Sequence, residues 1–599
     1  MLTIRLLGPP RLERDGRPLR APRGRKAWAV LCYVLLARRP VPRKHLAELL
    51  FSDAADPLGA VRWTLAELRR ALGTPDAFAG DPVAPALGDD VAVDVRLLDA
   101  DADPAELLAI GGELIDGVYV EACPEFESWL LVERHRIAAR IEARLRQAAV
   151  GLVAAGRPAD AVAYASRAVA ISPLDEGNHE LLVRSLAMAG DSEAAQHQIA
   201  VCEDLLRREL GVEASAALRD AANVGVGSAM VLPLSGRAAA LSQLEAGRAA
   251  IAAGAVDAGV QCLRQAVAEA ARGRDTALQG RTLAALGMAL VHSVRGRDEE
   301  GAVVLHEAAG RASAAGDAPT AVTAYRELGF VEVQAGRRAT ADAFLASAES
   351  FAETDGERAS VLAIRGMNSS DRGDYPAAFA QLGESVERAR RGGDARQEAW
   401  SLGVLGRAHV LRAERSQATA ALDRSLELVQ SQRWLSFQPF PQALRAELDM
   451  SVGDLDAATD GLERAWVLAC QLQDPCWEGI AARGLGMLHS GRGDHSAATR
   501  WLTEAATRCS RVSDRYQWVH AHVLDTLITT ALAHDEVDRA RPLIGTMASL
   551  AARCDLGELV VRAHLHRARI GEPGALAAAR RLGADVDNPD LTRMLRDAG

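Results

Sequence analysis

One turn signal recurs through the second half of this chain at a spacing that admits few folds. Turn anchors fall at Gly254, Gly296, Gly336, Gly373, Glu414, Gly453, Gly493 and Asp535, separated by 42, 40, 37, 41, 39, 40 and 42 residues. Five positions after each anchor stands a small residue: Gly259, Gly301, Ala341, Ala378, Thr419, Ala458, Ala498 and Ala540. Gly329, Gly366 and Gly486 each lie seven residues before an anchor. Small side chains at fixed offsets from a turn let neighbouring helices approach closely. A period near 40 with this pattern predicts about eight helix pairs stacked as a superhelix, each burying its apolar face against the next. Alanine-rich composition agrees, because alanine is the best helix former. Such an array presents a concave surface suited to a peptide, a protein or a small molecule.

Charge divides the chain differently. Its two lysines, Lys26 and Lys44, both lie in the first 45 of 599 residues. Residues 1–75 carry a net charge of +9, whereas the whole chain carries −11. A small cationic head on an anionic body is the pattern of a nucleic-acid reader with a separate assembly or sensing body. A phosphate-binding P-loop needs its lysine, so no such site exists after Lys44. The eight cysteines (32, 123, 202, 262, 470, 476, 509, 554) contain no CxxC and read as buried reduced thiols. His520/His522 and His564/His566 are i,i+2 pairs that point apart on a helix. No cofactor, metal site or catalytic constellation is expected. The chain has no 18-residue uncharged run and no cleavable leader at its start, which predicts a soluble cytoplasmic protein without membrane contact.

In the head, Leu2–Leu7 and Arg11–Arg14 read as strands with turns at Pro9-Pro10 and Asp15-Gly16. Three helices follow, over Lys26–Ala37, Arg43–Phe51 and the stretch PLGAVRWTLAELRRALG, with Pro57 in a first turn and Gly73 as the stop. Segments VAPAL and VAVDV flank Gly88-Asp89-Asp90 and predict a β-hairpin. Strands, three helices and a hairpin make a winged helix-turn-helix, whose last helix enters the major groove. In that helix Val61, Leu65, Leu68 and Leu72 form the buried stripe, while Trp63 and Arg70 lie opposite, flanked by Arg62 and Arg69.

MLTIRLLGPPRLERDGRPL, RKAWAVLCYVLL, RKHLAELLF and VRWTLAELRRALG resemble the OmpR-type DNA-binding head of the Streptomyces antibiotic regulatory protein family. The resemblance implies that helix 57–72 is the recognition helix, with Arg62, Trp63, Thr64, Arg69 and Arg70 at the DNA and Arg25, Lys26, Arg43 and Lys44 as phosphate contacts. One departure is that residues 71–95 contain five aspartates (76, 81, 89, 90, 94) and no lysine or arginine. Phosphate repulsion weakens that half of the interface.

Between head and array, Gly156 and Gly190 lie 34 apart, the tetratricopeptide period, with Pro173-Leu174 between units. Gly112-Glu113-Leu114, Phe126, Trp129, Glu133-Arg134 and Glu209-Leu210-Gly211-Val212-Glu213 resemble the bacterial transcriptional activator domain of the same family. The expected organisation is a winged helix over 1–98, an activator domain over 99–222, a linker over 223–236 and a tetratricopeptide-like solenoid over 237–599. The fold class is mainly α. The resemblance implies an activator that binds direct repeats in double-stranded DNA, self-associates there, and recruits RNA polymerase holoenzyme to secondary-metabolite genes, with the solenoid regulatory. An interaction scaffold with a weak or vestigial DNA-binding head is the alternative.

Six of nine tryptophans fall between 400 and 518, and RWLSFQPFPQ adds two phenylalanines. Trp400, Trp434, Phe437 and Phe440 are therefore candidate ligand-facing residues of the solenoid. Repeat helices also use large residues for their cores, and the pattern alone leaves both readings open.

Overall fold

The computed structural model describes residues 1–37, 39–88, 90–98, 104–108, 110–223, 236–510 and 515–598. Most of the expected linker, and Asp89 at the expected hairpin tip, lie outside them. The chain divides into two compact units, Met1–Ile141 with Arg567–Arg581, and Glu142–His566 with Leu582–Gly599.

In the first unit, β1 (Leu2–Arg5), β2 (Arg11–Arg14), β3 (Arg17–Pro18) and β4 (Val91–Val93) form a sheet of order β3-β2-β1-β4. β1 pairs antiparallel with β2 and parallel with β4, Leu2 lying opposite Val91. Helices α1 (Arg25–Leu36), α2 (Arg43–Leu50) and α3 (Pro57–Leu72) follow β3 and pack against one another. Asp56 caps α3 by accepting from the Gly59 amide at 2.8 Å, and Gly73 closes it at φ 69°. Leu31, Leu46, Leu50, Val61, Leu65, Leu68 and Leu72 form the head's core.

The expected hairpin is not formed by the described residues. Val83 makes an isolated bridge to Val41, and Val91–Val93 pairs with β1 instead. Pro82 and Pro85 leave their segment short of ladder donors. The carboxylate of Asp94 is buried and accepts from the Leu6 and Leu7 amides at 2.9 Å. That bond fixes β4 against β1, so one of the five aspartates holds the sheet together.

A short helix, α4 (Pro104–Leu107), leads to the long α5 (Pro124–Ala154). At its start Phe126 is buried, and the half-buried Trp129 packs at a tilt against Tyr33 of α1, ring centroids 4.6 Å apart. Phe126 is a core residue, and Trp129 packs at the core's edge. Residues 567–581 also belong to this unit: Arg581 bonds Glu125 at 2.8 Å, and Gly574 abuts Pro124 and Glu125. Nothing local in the sequence announces that return of the chain.

The second unit is all helix. Residues 237–553 form eight pairs. The first four are Arg237–Ala252 with Val256–Ala271, Thr276–Ser293 with Asp298–Ala315, Ala318–Gln334 with Arg338–Phe351, and Asp355–Arg372 with Tyr375–Gly392. The last four are Ala395–Leu411 with Arg415–Ser431, Pro439–Ser451 with Leu455–Leu472, Pro475–Gly491 with His495–Cys509, and Gln517–Ala533 with Val537–Arg553. The result is a tetratricopeptide-like solenoid. Gly-Asp dipeptides such as Gly373-Asp374 and Gly493-Asp494 make many of the turns. The glycine takes the left-handed conformation that ends one helix, and the aspartate caps the next.

One anchor differs from its expected place. The left-handed residue of the fifth pair is Ala413, at φ 58°, not Glu414. The small residue five places on is then the buried Ala418, and the glycine seven places before is Gly406. This register exposes a regularity. Nine residues after the anchors stand Leu263, Leu305, Leu345, Leu382, Leu422, Leu462 and Leu502, all buried. Gly329, Gly366, Gly406 and Gly486 exist to receive such leucines. A Cβ at Gly366 would meet Leu382 Cγ at 2.5 Å. Gly366→Ala is therefore expected to destabilise the array by about 1–3 kcal/mol through overpacking. Urea unfolding of Gly366→Ala, Leu382→Ala and the double variant checks this. The double variant should lose clearly less than the sum of the single losses, and simple additivity would refute the contact.

The coil closes on itself. Arg338 donates to the Cys554 carbonyl at 3.1 Å, Tyr375 bonds Glu558 at 2.5 Å, and Arg407 bonds Tyr516 at 2.5 Å. Arg553 of the eighth pair reaches Glu142 at 2.8 Å.

Candidate functional site

The basic residues of the head divide by exposure. On α3, Arg62 and Arg70 are exposed, Arg69 is half-buried, and Trp63 keeps 55% of its surface open. Arg62 and Arg70 lie about 12 Å apart along the axis, Arg70 opposite the Val61–Leu72 stripe and Arg62 on its flank. Thr64 departs from the expectation. It is 3% exposed, and its hydroxyl donates to the Ala60 carbonyl at 2.8 Å. Lying between Val61 and Leu68 in helical order, it belongs to the buried stripe.

Arg25 and Lys44 are exposed, and Lys26 and Arg43 are half-buried. Several of these cations are held by carboxylates of the head. Lys26 pairs with Asp53 at 2.7 Å and lies 5.3 Å over the Phe51 ring; Lys44 approaches Glu48 at 3.8 Å. Arg62 approaches Asp56 at 3.5 Å, and Arg70 pairs with the buried Glu67. The Lys26 ammonium holds the Asp53 carboxyl below its usual range, chiefly through that hydrogen bond. A cleft of about 630 Å³ lies between α1 and α3, lined by Arg25, Lys26, Trp63 and Thr64 and by Tyr119, which is exposed. Such a surface suits a polyanion whose phosphates replace the carboxylates as partners. Tyr119 was not foreseen, because it lies outside the head's own sequence.

A second site lies within the repeat array. The first helices of the second to fifth pairs, with the segment 434–440 and the start of the seventh pair, enclose a cavity of about 590 Å³. All four solenoid candidates, Trp400, Trp434, Phe437 and Phe440, line it. Phe437 and Phe440 are buried, while Trp400 and Trp434 are half-open. Trp434 stacks on Phe437 at 4.8 Å, and Phe440 meets Trp477 at 5.1 Å. The Trp477 indole donates to the Ser436 carbonyl at 3.0 Å. The two readings of the aromatics are thus combined: two rings build the floor and the others face the space.

Charged groups ring this aromatic floor. Arg295 pairs with Asp474 at 2.6 Å, and burial raises the Asp474 carboxyl despite that arginine. Glu327 is shared by Arg326 and by His292, the latter at 2.8 Å. Burial pushes His292 down to about 3, with Arg326 and Arg295 adding to the effect. Burial likewise lowers Arg326 to about 10. Both side chains keep a wetted edge, 45% for His292 and 24% for Arg326. They open to the cavity yet are surrounded by protein. Arg396 lies 5.7 Å over the Trp434 ring. Sequence reasoning missed His292, Arg326 and Arg396, which come from three repeats and share no local motif.

Among the described residues no group of three or more His, Cys, Asp or Glu is placed to hold a metal ion. No described helix is long and apolar enough to cross a membrane.

These features define a class: a basic three-helix head, followed by helical segments that run into a tetratricopeptide-like array. Within it, residues 96–223 match the bacterial transcriptional activator domain, so the chain carries that domain. No curated protein matches the chain. Among solved structures, a Rap protein complexed with competence and sporulation factor is 14% identical, over 60% of this chain and 89% of that one, with a TM-score of 0.42. Mycobacterium tuberculosis EmbR, in complex with a low-affinity phosphopeptide, is 18% identical over 37% of this chain and 64% of that one, at 0.29. Aspartyl phosphate phosphatase F from Bacillus subtilis is 9% identical over 68% and 93%, at 0.37.

Proposed function

We propose that this chain is a sequence-specific DNA-binding transcriptional activator, with α3 as its reading helix and the solenoid as its regulatory part. The observation that carries the reading is a bacterial transcriptional activator domain directly following a head of net charge +9, whose α3 exposes Arg62, Trp63 and Arg70. In this reading the head docks as a winged helix on direct repeats near promoters, copies of the chain associate there, and RNA polymerase holoenzyme is recruited to antibiotic or other secondary-metabolite genes. It works in the cytoplasm and catalyses nothing. Arg25, Lys26, Arg43, Lys44 and Arg69 contact phosphates, while Arg62 and Arg70 reach base edges.

The test is selection of duplexes from a random pool by the full chain, followed by binding of its variants. Enrichment of a repeated half-site supports the reading; no enrichment defeats it. Arg62→Ala or Arg70→Ala is expected to cost about 1–3 kcal/mol on the selected site and much less on random DNA, because a lost fork to guanine removes discrimination. Equal loss on both DNAs would assign these arginines to phosphate. One observation favours the scaffold reading: Lys26, Lys44, Arg62 and Arg70 all approach carboxylates of the head. If those pairs outcompete phosphate, the head binds DNA weakly and the array is the working part.

A further inference from the structure

We propose that the cavity in the repeat array binds a small organic anion, its flat aromatic body against Trp434, Phe437 and Trp477 and its acidic group at Arg396 and Arg326. The proposal names the ligand class for the regulatory part described above, but the site itself does not depend on DNA binding.

Size comes first. A volume of about 590 Å³ falls inside the range of about 300–1,000 Å³ typical of small-molecule sites. An extended peptide needs a longer open groove, and the coil is closed by the Arg338–Cys554, Tyr375–Glu558 and Arg407–Tyr516 bonds.

Shape and polarity come next. Trp434, Phe437, Phe440 and Trp477 form a contiguous run of rings whose neighbouring centroids are 4.8, 5.6 and 5.1 Å apart. Aromatic faces at such spacings suit another planar ring system.

The sign of the ligand follows from how the charges are spent. Of the lining arginines, Arg295 is matched by Asp474, and Arg407 by Asp371. Glu327 divides its oxygens between His292 and Arg326. Asp394 uses an oxygen to accept from the Gln397 amide, capping the fifth pair. Asp298, also on the wall, is buried. Among the described residues Arg396 has no carboxylate within ion-pairing distance and lies on the face of Trp434. Burial disfavours a proton on His292, with Arg326 and Arg295 adding to it, and burial lowers Arg326 itself. The lining holds four arginines and four carboxylates, and Arg396 stands among them without a carboxylate partner. An anion supplies the partner that Arg396 lacks and Arg326 shares.

The probe is 8-anilinonaphthalene-1-sulfonate, an aromatic anion, titrated into the full chain by fluorescence without DNA. N-phenyl-1-naphthylamine, the same ring system without the sulfonate, is the neutral control. The expected result is one saturable site per chain that prefers the sulfonate. Arg396→Gln should weaken the sulfonate by about tenfold or more, as for loss of a charge-assisted hydrogen bond, and leave the neutral control within about twofold. Trp434→Leu should weaken both. Arg326→Gln should act like Arg396→Gln, and an unchanged melting temperature shows that each variant is folded. Overturning results are unsaturable binding, equal affinity for both probes, or an Arg396→Gln variant that holds the sulfonate unchanged. Because no DNA is present, failure here leaves the activator reading intact, and failure of DNA selection leaves this site intact.

Discussion

Replacing Arg407 by alanine is expected to cost about 3–5 kcal/mol, the usual loss when one partner of a buried ion pair is removed. The Arg407 side chain is 1% exposed and that of Asp371 0%, with 2.6 Å between them. Arg407 also bonds Tyr516 at 2.5 Å and Ser370 at 3.2 Å, and lies 4.2 Å over the Trp518 ring. Burial works against its charge, and Tyr516 and Asp371 more than offset it. Removing the guanidinium leaves Asp371 with Arg338, at 2.9 Å, as its remaining cation. It also leaves a void beneath Trp518. Arg407→Met refills the volume without the charge and should lose less. Arg407→Met combined with Asp371→Asn should lose less than the two single losses together, because the one Arg407–Asp371 contact is removed by each single change and so is counted twice in their sum. Urea unfolding followed by circular dichroism measures this. A loss under about 1 kcal/mol for Arg407→Ala would mean that Asp371 finds other partners readily. The contact joins residues 109 apart, so its loss also opens the coil around the aromatic cavity. The same variant should therefore bind 8-anilinonaphthalene-1-sulfonate more weakly.

That bond also marks where the sequence stops being legible. The repeats are readable because a left-handed turn favours glycine, and the chain supplies one at most anchors. Ala413 occupies that conformation without being glycine, so the turn signal in the sequence points one residue late at the fifth pair. The leucine row would have corrected it, since Leu422 follows Ala413 by the same nine residues that separate Leu382 from Gly373. In the head, local patterns locate α1, α2 and α3, but they do not reveal that β4 pairs with β1 across nearly 90 residues. The two valine-containing segments look like a hairpin, and only the pairing partner distinguishes hairpin from edge strand. Thr64 shows a different failure. Its helical position already placed it with Val61 and Leu68, and the family resemblance drew it to the DNA face against that geometry. Trp434, Phe437 and Phe440 were found because they are sequence neighbours. Arg326, His292 and Arg396 were not, because a concave wall assembled from several repeats takes one or two residues from each and leaves no motif.

DNA affinity of the full chain is expected to fall about 500-fold between 50 and 200 mM salt. The candidate phosphate contacts are Arg25, Lys26, Arg43, Lys44 and Arg69, about five. Each contributes roughly 0.9 to the slope of log affinity against log salt, which gives about −4.5. Two features act on that number. Lys26 and Lys44 start in pairs with Asp53 and Glu48, so phosphate exchanges a carboxylate as well as a counterion, lowering affinity more than slope. The acidic segment after α3 is partly withdrawn from the problem. Asp94 is buried on the Leu6 and Leu7 amides, and Asp81 accepts from the Arg43 amide at 2.9 Å. Asp76 and Asp90 remain exposed to repel the backbone. Fluorescence anisotropy of a labelled duplex across that salt range measures the slope. Lys44→Ala should make it shallower by about one unit and weaken specific and random DNA alike, the signature of a phosphate contact. Arg62→Ala, if it reads a base, should leave the slope nearly unchanged while relaxing sequence preference. A slope shallower than about −1 for the unaltered chain would remove the activator reading and leave the repeat array as the functional part.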